Sequence, residues 1–223
     1  MMKKLKKLLP LLLIIFLFTG ACSSSLPADK DGSTSGSEQK ETVFTADVPE
    51  TSATANSGQP DSQESTRHSA KVHFIDVGQG DSILIQSGDS AMLVDAGTNE
   101  SGSVVVEYLK AQGISHLDWV IGTHPHEDHI GGMDDVLRAF PVDRVMMPEK
   151  EHTTKTFEDV LDAIIEKDLS VTAPVPGDTY ELGNSSITIL GPVKEYGDEL
   201  NNRSVVLRIN CGETSFDLTG DAE

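Results

Sequence analysis

The strongest constraint in this chain is the run His124-Pro125-His126-Glu127-Asp128-His129, which places four potential metal ligands within six residues. An apolar segment that reads as a strand, residues 119–123, leads into it, and Gly131-Gly132 and a helical pattern follow. Divalent transition metals take imidazole nitrogen and carboxylate oxygen at about 2.0–2.2 Å. Alternate residues at a strand end project to one side, so His124 and His126 can share one ion. After the chain turns, Asp128 and His129 can face a second ion beside the first. A polar surface loop explains one or two such histidines but not this density. A helical His-Glu-x-x-His zinc site fits poorly, because the spacing differs and Pro125 and the glycines oppose a continuous helix.

From residue 71 onward short apolar strands alternate with amphipathic helices, which predicts an α/β architecture. Residues 72–75, 83–86 and 91–94 read as a meander, separated by Gly78-Gln79-Gly80-Asp81 and Ser87-Gly88-Asp89, both with turn chemistry. Val104, Val105, Tyr108 and Leu109 have helical spacing, with Gly113 as the stop. A short helix carries Val136, Leu137 and Phe140, and a strand follows at 144–147. Phe157, Val160, Leu161, Ile164 and Ile165 fall at i, i+3, i+4, i+7, i+8 and predict the strongest helix. Residues 187–190, 204–210 and 215–219 read as strands. Gly78 and Gly80 lack the Lys-Ser/Thr that would make a phosphate cradle, so they are read as turn residues with positive φ.

Together these residues resemble the metallo-β-lactamase superfamily. HPHEDHIGG is similar to its HxHxDH signature, and Phe74-Ile75-Asp76-Val77-Gly78-Gln79-Gly80-Asp81-Ser82 resembles the opening of the branch related to the ComEC competence (DNA-uptake) protein. In the same order, Leu93-Val94-Asp95-Ala96-Gly97 resembles the first motif, and Asn201-Asn202-Arg203-Ser204 the segment that replaces the third histidine motif. Leu218-Thr219-Gly220-Asp221 resembles the motif with the bridging aspartate.

The resemblance implies an αββα sandwich, two divalent ions and hydrolysis. It implies metal ligation by His124, His126, Asp128, His129 and a bridging Asp221, with Asp128 also orienting the attacking water. Asn201 or Asn202, together with Ser204, would contact metal or substrate, with no choice between the asparagines. Asp81 and Asp95 would support the ligands from behind. Many members of the branch have Asp where this chain has His126, which favours zinc over manganese. In the family, further strands, helices and a last histidine ligand follow the bridging aspartate. Residues 71–223 are therefore expected to be part of the sandwich only, either a fragment of a longer protein or a truncated product without activity, with an apolar sheet face left open.

Ahead of this domain, residues 1–22 carry Lys3, Lys4, Lys6 and Lys7, an apolar run and Thr19-Gly20-Ala21-Cys22. That pattern reads as an export signal, too short to span a bilayer comfortably. Small residues before a cysteine resemble a bacterial lipobox, although Thr19 stands where Leu is commoner, so Cys22 is expected to carry lipid and anchor the protein at the outer face of the cytoplasmic membrane. In residues 23–70 nearly half the positions are Ser, Thr, Pro or Gly, a composition that cannot bury enough apolar surface to fold. It reads as a disordered tether.

Residues 71–223 hold 10 basic against 28 acidic side chains, most of the net charge of −19. Such a surface does not gather long polyanions, whereas the resemblance points to phosphodiester bonds, in nucleic acid or in a small molecule. A lactonase or other ester or amide hydrolase is the enzymatic alternative. A surface lipoprotein that binds metal without catalysis is the alternative from another class.

Overall fold

Runs in which every residue is apolar build a sheet buried on both faces, and the computed structural model shows where each face goes. It describes residues 69–149, 152–194, 197 and 199–223, with the backbone of Thr42–Thr45. All of these belong to the unit Gln39–Glu223, and Cys22, the export signal and most of the tether lie outside the described residues.

The first sheet runs in sequence order through β1 (Thr42–Thr45), β2 (Ala70–Phe74), β3 (Ile83–Ser87), β4 (Ser90–Val94), β5 (Leu117–Ile121), β6 (Val142–Met146) and β7 (Val171–Thr172). The pairs from β1 to β4 are antiparallel, and those from β4 to β7 are parallel. Between the parallel strands lie α1 (Gly102–Ala111), a single turn α2 (Glu127–Ile130), α3 (Met133–Ala139) and α4 (Lys155–Glu166). The second sheet is antiparallel, in the order β11 (Thr214–Leu218), β10 (Val206–Cys211), β9 (Ser185–Gly191), β8 (Thr179–Leu182).

Side-chain alternation divides the interior into two cores. Leu84, Leu93, Val120 and Val145 pack with the helices, against Val105, Leu109, Val136, Leu137, Val160 and Ile164. Their neighbours Ile85, Met92, Trp119, Ile121 and Met146 face the second sheet, where Ile187, Ile189, Leu207 and Ile209 meet them. The described residues thus supply three layers, helix on sheet on sheet, which is the expected αββα sandwich in part. In α4 the predicted face holds for Phe157, Val160 and Ile164, but Ile165 is 74% exposed, because residues one apart on a helix point about 100° away from each other.

The structure corrects three expectations and adds two strands. Thr42–Thr45, inside the stretch read as a tether, pairs with β2 from Thr42↔Phe74 to Thr45↔Lys71. Its Thr-Val-Phe-Thr sequence suits a strand but vanishes in an average over 48 residues. Strands β7 and β8 were not anticipated, being short and mostly exposed. The third strand of the second sheet starts at Val206 rather than Ser204, which instead follows a 3-10 turn, Asn201–Arg203.

Finally, the outward face of the second sheet is not an open apolar surface. The alternate positions of its strands are mostly polar, among them Thr179, Glu181, Ser186, Thr188, Arg208, Asn210 and Asp217. Arg208 lies beside Asp217 across the β10–β11 pair and donates two hydrogen bonds to its carboxylate, at 2.7 and 2.8 Å.

Candidate metal centre

Parallel β4 and β5 end side by side, with Val94 opposite Ile121, and the residues just beyond these ends begin the site. Asp95, at φ 58, turns its carboxylate towards Thr123, whose backbone N–H donates to Oδ1 at 2.7 Å. The chain then passes through His124, 0% exposed, and Pro125 to an extended His126, which opens the single turn of α2. Glu127 is used locally: its carboxylate accepts the backbone N–H of Asn99 at 2.8 Å and braces the loop against α2.

A line of hydrogen bonds sets the ring nitrogens. Asp95 Oδ2 accepts from the Thr123 hydroxyl at 2.7 Å and lies 2.8 Å from His129 Nδ1. Thr123 has one hydroxyl proton, and Asp95 takes it. The 3.1 Å contact between Thr123 Oγ1 and His124 Nδ1 is then a hydrogen bond only when Nδ1 carries the proton. With its proton on Nδ1, His124 turns an unprotonated Nε2 towards the site, and His129 does the same once the proton on its own Nε2 is displaced. Asp221 meets them there, with Oδ1 3.3 Å from His129 Nε2 and Oδ2 3.9 Å from His124 Nε2.

These three residues form one group of potential ligands whose atoms all lie within 4.8 Å of one another, and Asp81, Asp95 and His129 form a second. His126 Nδ1 is 2.9 Å from His124 Nε2, so it stands at the edge of the first group. Asp128 falls in neither group, and its Oδ2 accepts from the Gln79 amide at 3.3 Å. Asp128, expected beside His129, lies outside the grouped atoms but near enough for its charge to act on that ring, whereas one carboxylate oxygen of Asp221 faces each imidazole. Asn202 Oδ1 accepts the backbone N–H of Glu223 at 2.9 Å, while Asn201 Oδ1 is buried with no hydrogen-bond partner among the described residues. Asn201 is therefore the asparagine with an open acceptor. Both line a cavity of about 260 Å³ beside His126.

Sequence reasoning missed Thr123 and Gln79. A threonine closing a strand and a glutamine in a glycine turn carry no signal of their own, and Gln79 lies 49 residues from the carboxylate it touches.

Burial holds the His124 imidazole down to about 4, helped by the neighbouring His129 and His126 and opposed by Asp221 and Asp128. Burial also works against a charge on His129, but the hydrogen bond and the charge of Asp95, with Asp221 and Asp128, outweigh it and raise that ring to about 9. Burial pushes Asp95 up, against the lowering effect of His129 and Thr123. Asp128 is held below the usual carboxylate range, because the Gln79 bond and the nearby His129 and His126 outweigh its partial burial. Two imidazole nitrogens with set tautomers and a carboxylate between them suit a divalent cation, which would replace the proton that His129 holds.

Residues 75–223 match the model of the Metallo-beta-lactamase superfamily. ComE operon protein 3 of Bacillus subtilis is 30% identical over 171 residues, which cover 69% of this chain and 22% of that protein. Recombination protein 2 of Haemophilus influenzae is 28% identical, covering 69% of this chain and 18% of that protein. Hydroxyacylglutathione hydrolase of Aliivibrio salmonicida is 31% identical over 142 residues, covering 60% and 46%. This chain thus spans about a fifth of the length of the first two relatives. Among solved structures, a metallo-beta-lactamase of Cronobacter sakazakii with a HARLDQ motif aligns with a TM-score of 0.50 at 13% identity, over 66% of this chain and 58% of that one, which is a likeness of fold.

Proposed function

We propose that this chain, which belongs to the metallo-beta-lactamase superfamily of metallo-hydrolases, hydrolyses phosphodiester bonds with two divalent ions, zinc in preference to manganese. The observation that carries the reading is the Asp221 carboxylate, whose two oxygens each face the Nε2 of a different histidine. In this reading His124 and His126 would hold one ion and His129 the other, with the Asp221 carboxylate placed to serve both. Such ions supply charge that polarises the group under attack and lowers the pKa of the attacking water.

The chain's own residues do the rest. Asp128, deprotonated and held by Gln79, orients the attacking water and accepts a proton from it. Asn201 lines the cavity beside His126, and its carbonyl oxygen can only accept, from a cation or from a donor group of the substrate. The phosphodiester class is supported by the likeness to proteins named for the ComE operon and for recombination, and by the motif resemblance to the DNA-uptake branch.

A second reading, a thioester or other ester hydrolase, is favoured by the likeness to hydroxyacylglutathione hydrolases and by the acidic surface, which suits a small substrate better than a long polyanion. A panel of phosphodiester, phosphomonoester, lactone, thioester and β-lactam substrates, assayed on zinc-loaded protein, separates the two. Turnover of the thioester with none of the phosphodiesters overturns the first reading. No turnover of any, with metal bound, leaves a metal-binding surface protein.

The reading places the protein at the outer face of the membrane through lipid on Cys22. Cys22→Ala is expected to abolish detergent-phase partitioning. Wild-type protein cleaved elsewhere and freely secreted overturns that placement.

A further inference from the structure

Ser204 is 0% exposed, yet it carries a hydroxyl, and buried hydroxyls are costly unless their oxygen is bonded. Its Oγ lies 3.3 Å from His124 Nδ1 and accepts the backbone N–H of Asp221 at 3.2 Å. Both neighbours come as donors. The Asp221 N–H can only donate, and when His124 offers Nε2 to an ion its one ring proton sits on Nδ1, where Thr123 Oγ1 at 3.1 Å and Ser204 Oγ at 3.3 Å share it. Two incoming donors use both lone pairs of a serine oxygen, which leaves none for an ion.

The backbone around Ser204 is pinned on the same spot. Ser204 N donates to Asn201 O at 2.9 Å, and Val205 N donates to Thr123 O, also at 2.9 Å. The turn that brings in Asp221 rests directly on this serine: a Cβ added at Gly220 would lie 3.1 Å from Ser204 Oγ and 2.9 Å from the Thr123 side chain. Thr123 and His124 arrive from the first sheet, and Asp221 arrives from the second. The Ser204 hydroxyl touches both deliveries.

We propose that Ser204 is a positioning residue for the metal centre: its oxygen ties His124 to the Asp221 backbone, fixes the Nδ1–H tautomer of His124, and does not itself ligate an ion. The proposal rests on the metal-binding reading above but not on any substrate. It differs from the family-based expectation that Ser204 contacts metal or substrate in place of a histidine.

The test uses the full chain as wild type, Ser204→Ala and Ser204→Thr, each titrated with cobalt(II) in competition with a chelator and followed by visible absorption. Ser204→Ala is expected to weaken cobalt affinity by about 10–100-fold, with the same number of ions at saturation and the same band positions. Ser204→Thr, which keeps the hydroxyl, is expected to restore most of that loss. Loss of one ion, or shifted cobalt bands, in Ser204→Ala would make the serine a ligand and overturn the proposal. So would unchanged affinity accompanied by lower stability of the metal-free protein, which would make Ser204 a packing residue only. Should the added methyl of Ser204→Thr prevent folding, nitrogen NMR of the histidine rings in the zinc-loaded wild type decides: a protonated His124 Nδ1 supports the tie, and an unprotonated one overturns it. A wild-type chain that takes up no cobalt overturns the metal reading itself, and this proposal with it.

Discussion

Asp95 Oδ2 lies 2.8 Å from His129 Nδ1, with both side chains almost fully shielded from water. The contact holds the ring so that its other nitrogen faces Asp221. Breaking such a buried pair by removing one partner costs about 3–5 kcal/mol, so Asp95→Ala is expected to lower the stability of the metal-free protein by roughly that amount. Asp95→Asn keeps the volume and weakens zinc binding by about 10–100-fold. Urea unfolding and chelator competition measure the two effects, and unchanged zinc affinity in Asp95→Asn would contradict the assigned role.

Gly80 lies at φ 82, and a Cβ there would sit 1.7 Å from the backbone oxygen of Asp128. Gly78 has a similar φ of 79 but open space around it. Gly78→Ala therefore suffers only the left-handed penalty, about 1–2 kcal/mol. Gly80→Ala adds a clash with backbone that cannot swing away, about 1–3 kcal/mol more, and pushes α2 off its seat. Thermal unfolding of the two variants should rank them in that order, and equal losses would show that the glycine turn does not rest on Asp128.

Asp128→Asn keeps the shape of the side chain and removes its basicity. Activity is expected to fall by about 10²–10⁴-fold while the protein still binds metal, because the carboxylate faces Gln79 rather than the grouped ligands. Gln79→Ala, which frees the carboxylate without removing it, should give a smaller loss. Elemental analysis beside steady-state rates checks both. Loss of an ion in Asp128→Asn would instead make Asp128 a ligand.

In metal-free protein, the two buried histidines pull stability in opposite directions. His124 has a folded value of about 4 against 6.5 when free, so between these values the unfolded chain binds more protons. Its contribution is present above pH 6.5 and lost as pH falls towards 4. His129 is raised to about 9, so its contribution is complete below 6.5 and lost as pH rises through 9. Together they place the stability maximum near pH 6.5, measured as the urea midpoint of chelator-treated protein. Saturating zinc takes the place of the His129 proton and should flatten the alkaline side. A midpoint that climbs steadily to pH 9 would contradict the charge assigned to His129.

The sequence alone fixed the parts whose physics is local. The His124–His129 run, the strand before it and the glycines after it lie within fourteen consecutive residues, so their spacing could be read directly. The face of α4 and the alternation of the strands follow from helix and strand periods. The turn role of Gly78 and Gly80 follows from backbone freedom, and both do take positive φ.

What the tertiary structure decided depends on groups far apart in the chain. The surroundings of His124 Nδ1 are made by Thr123 and by Ser204, which is 80 residues away. The turning of Asp128 towards Gln79 and the difference between Asn201 and Asn202 rest on contacts over 49 and 21 residues. A hydrogen bond is a short-range, directional force: sequence spacing can nominate its partners, but only tertiary packing brings them within hydrogen-bonding distance.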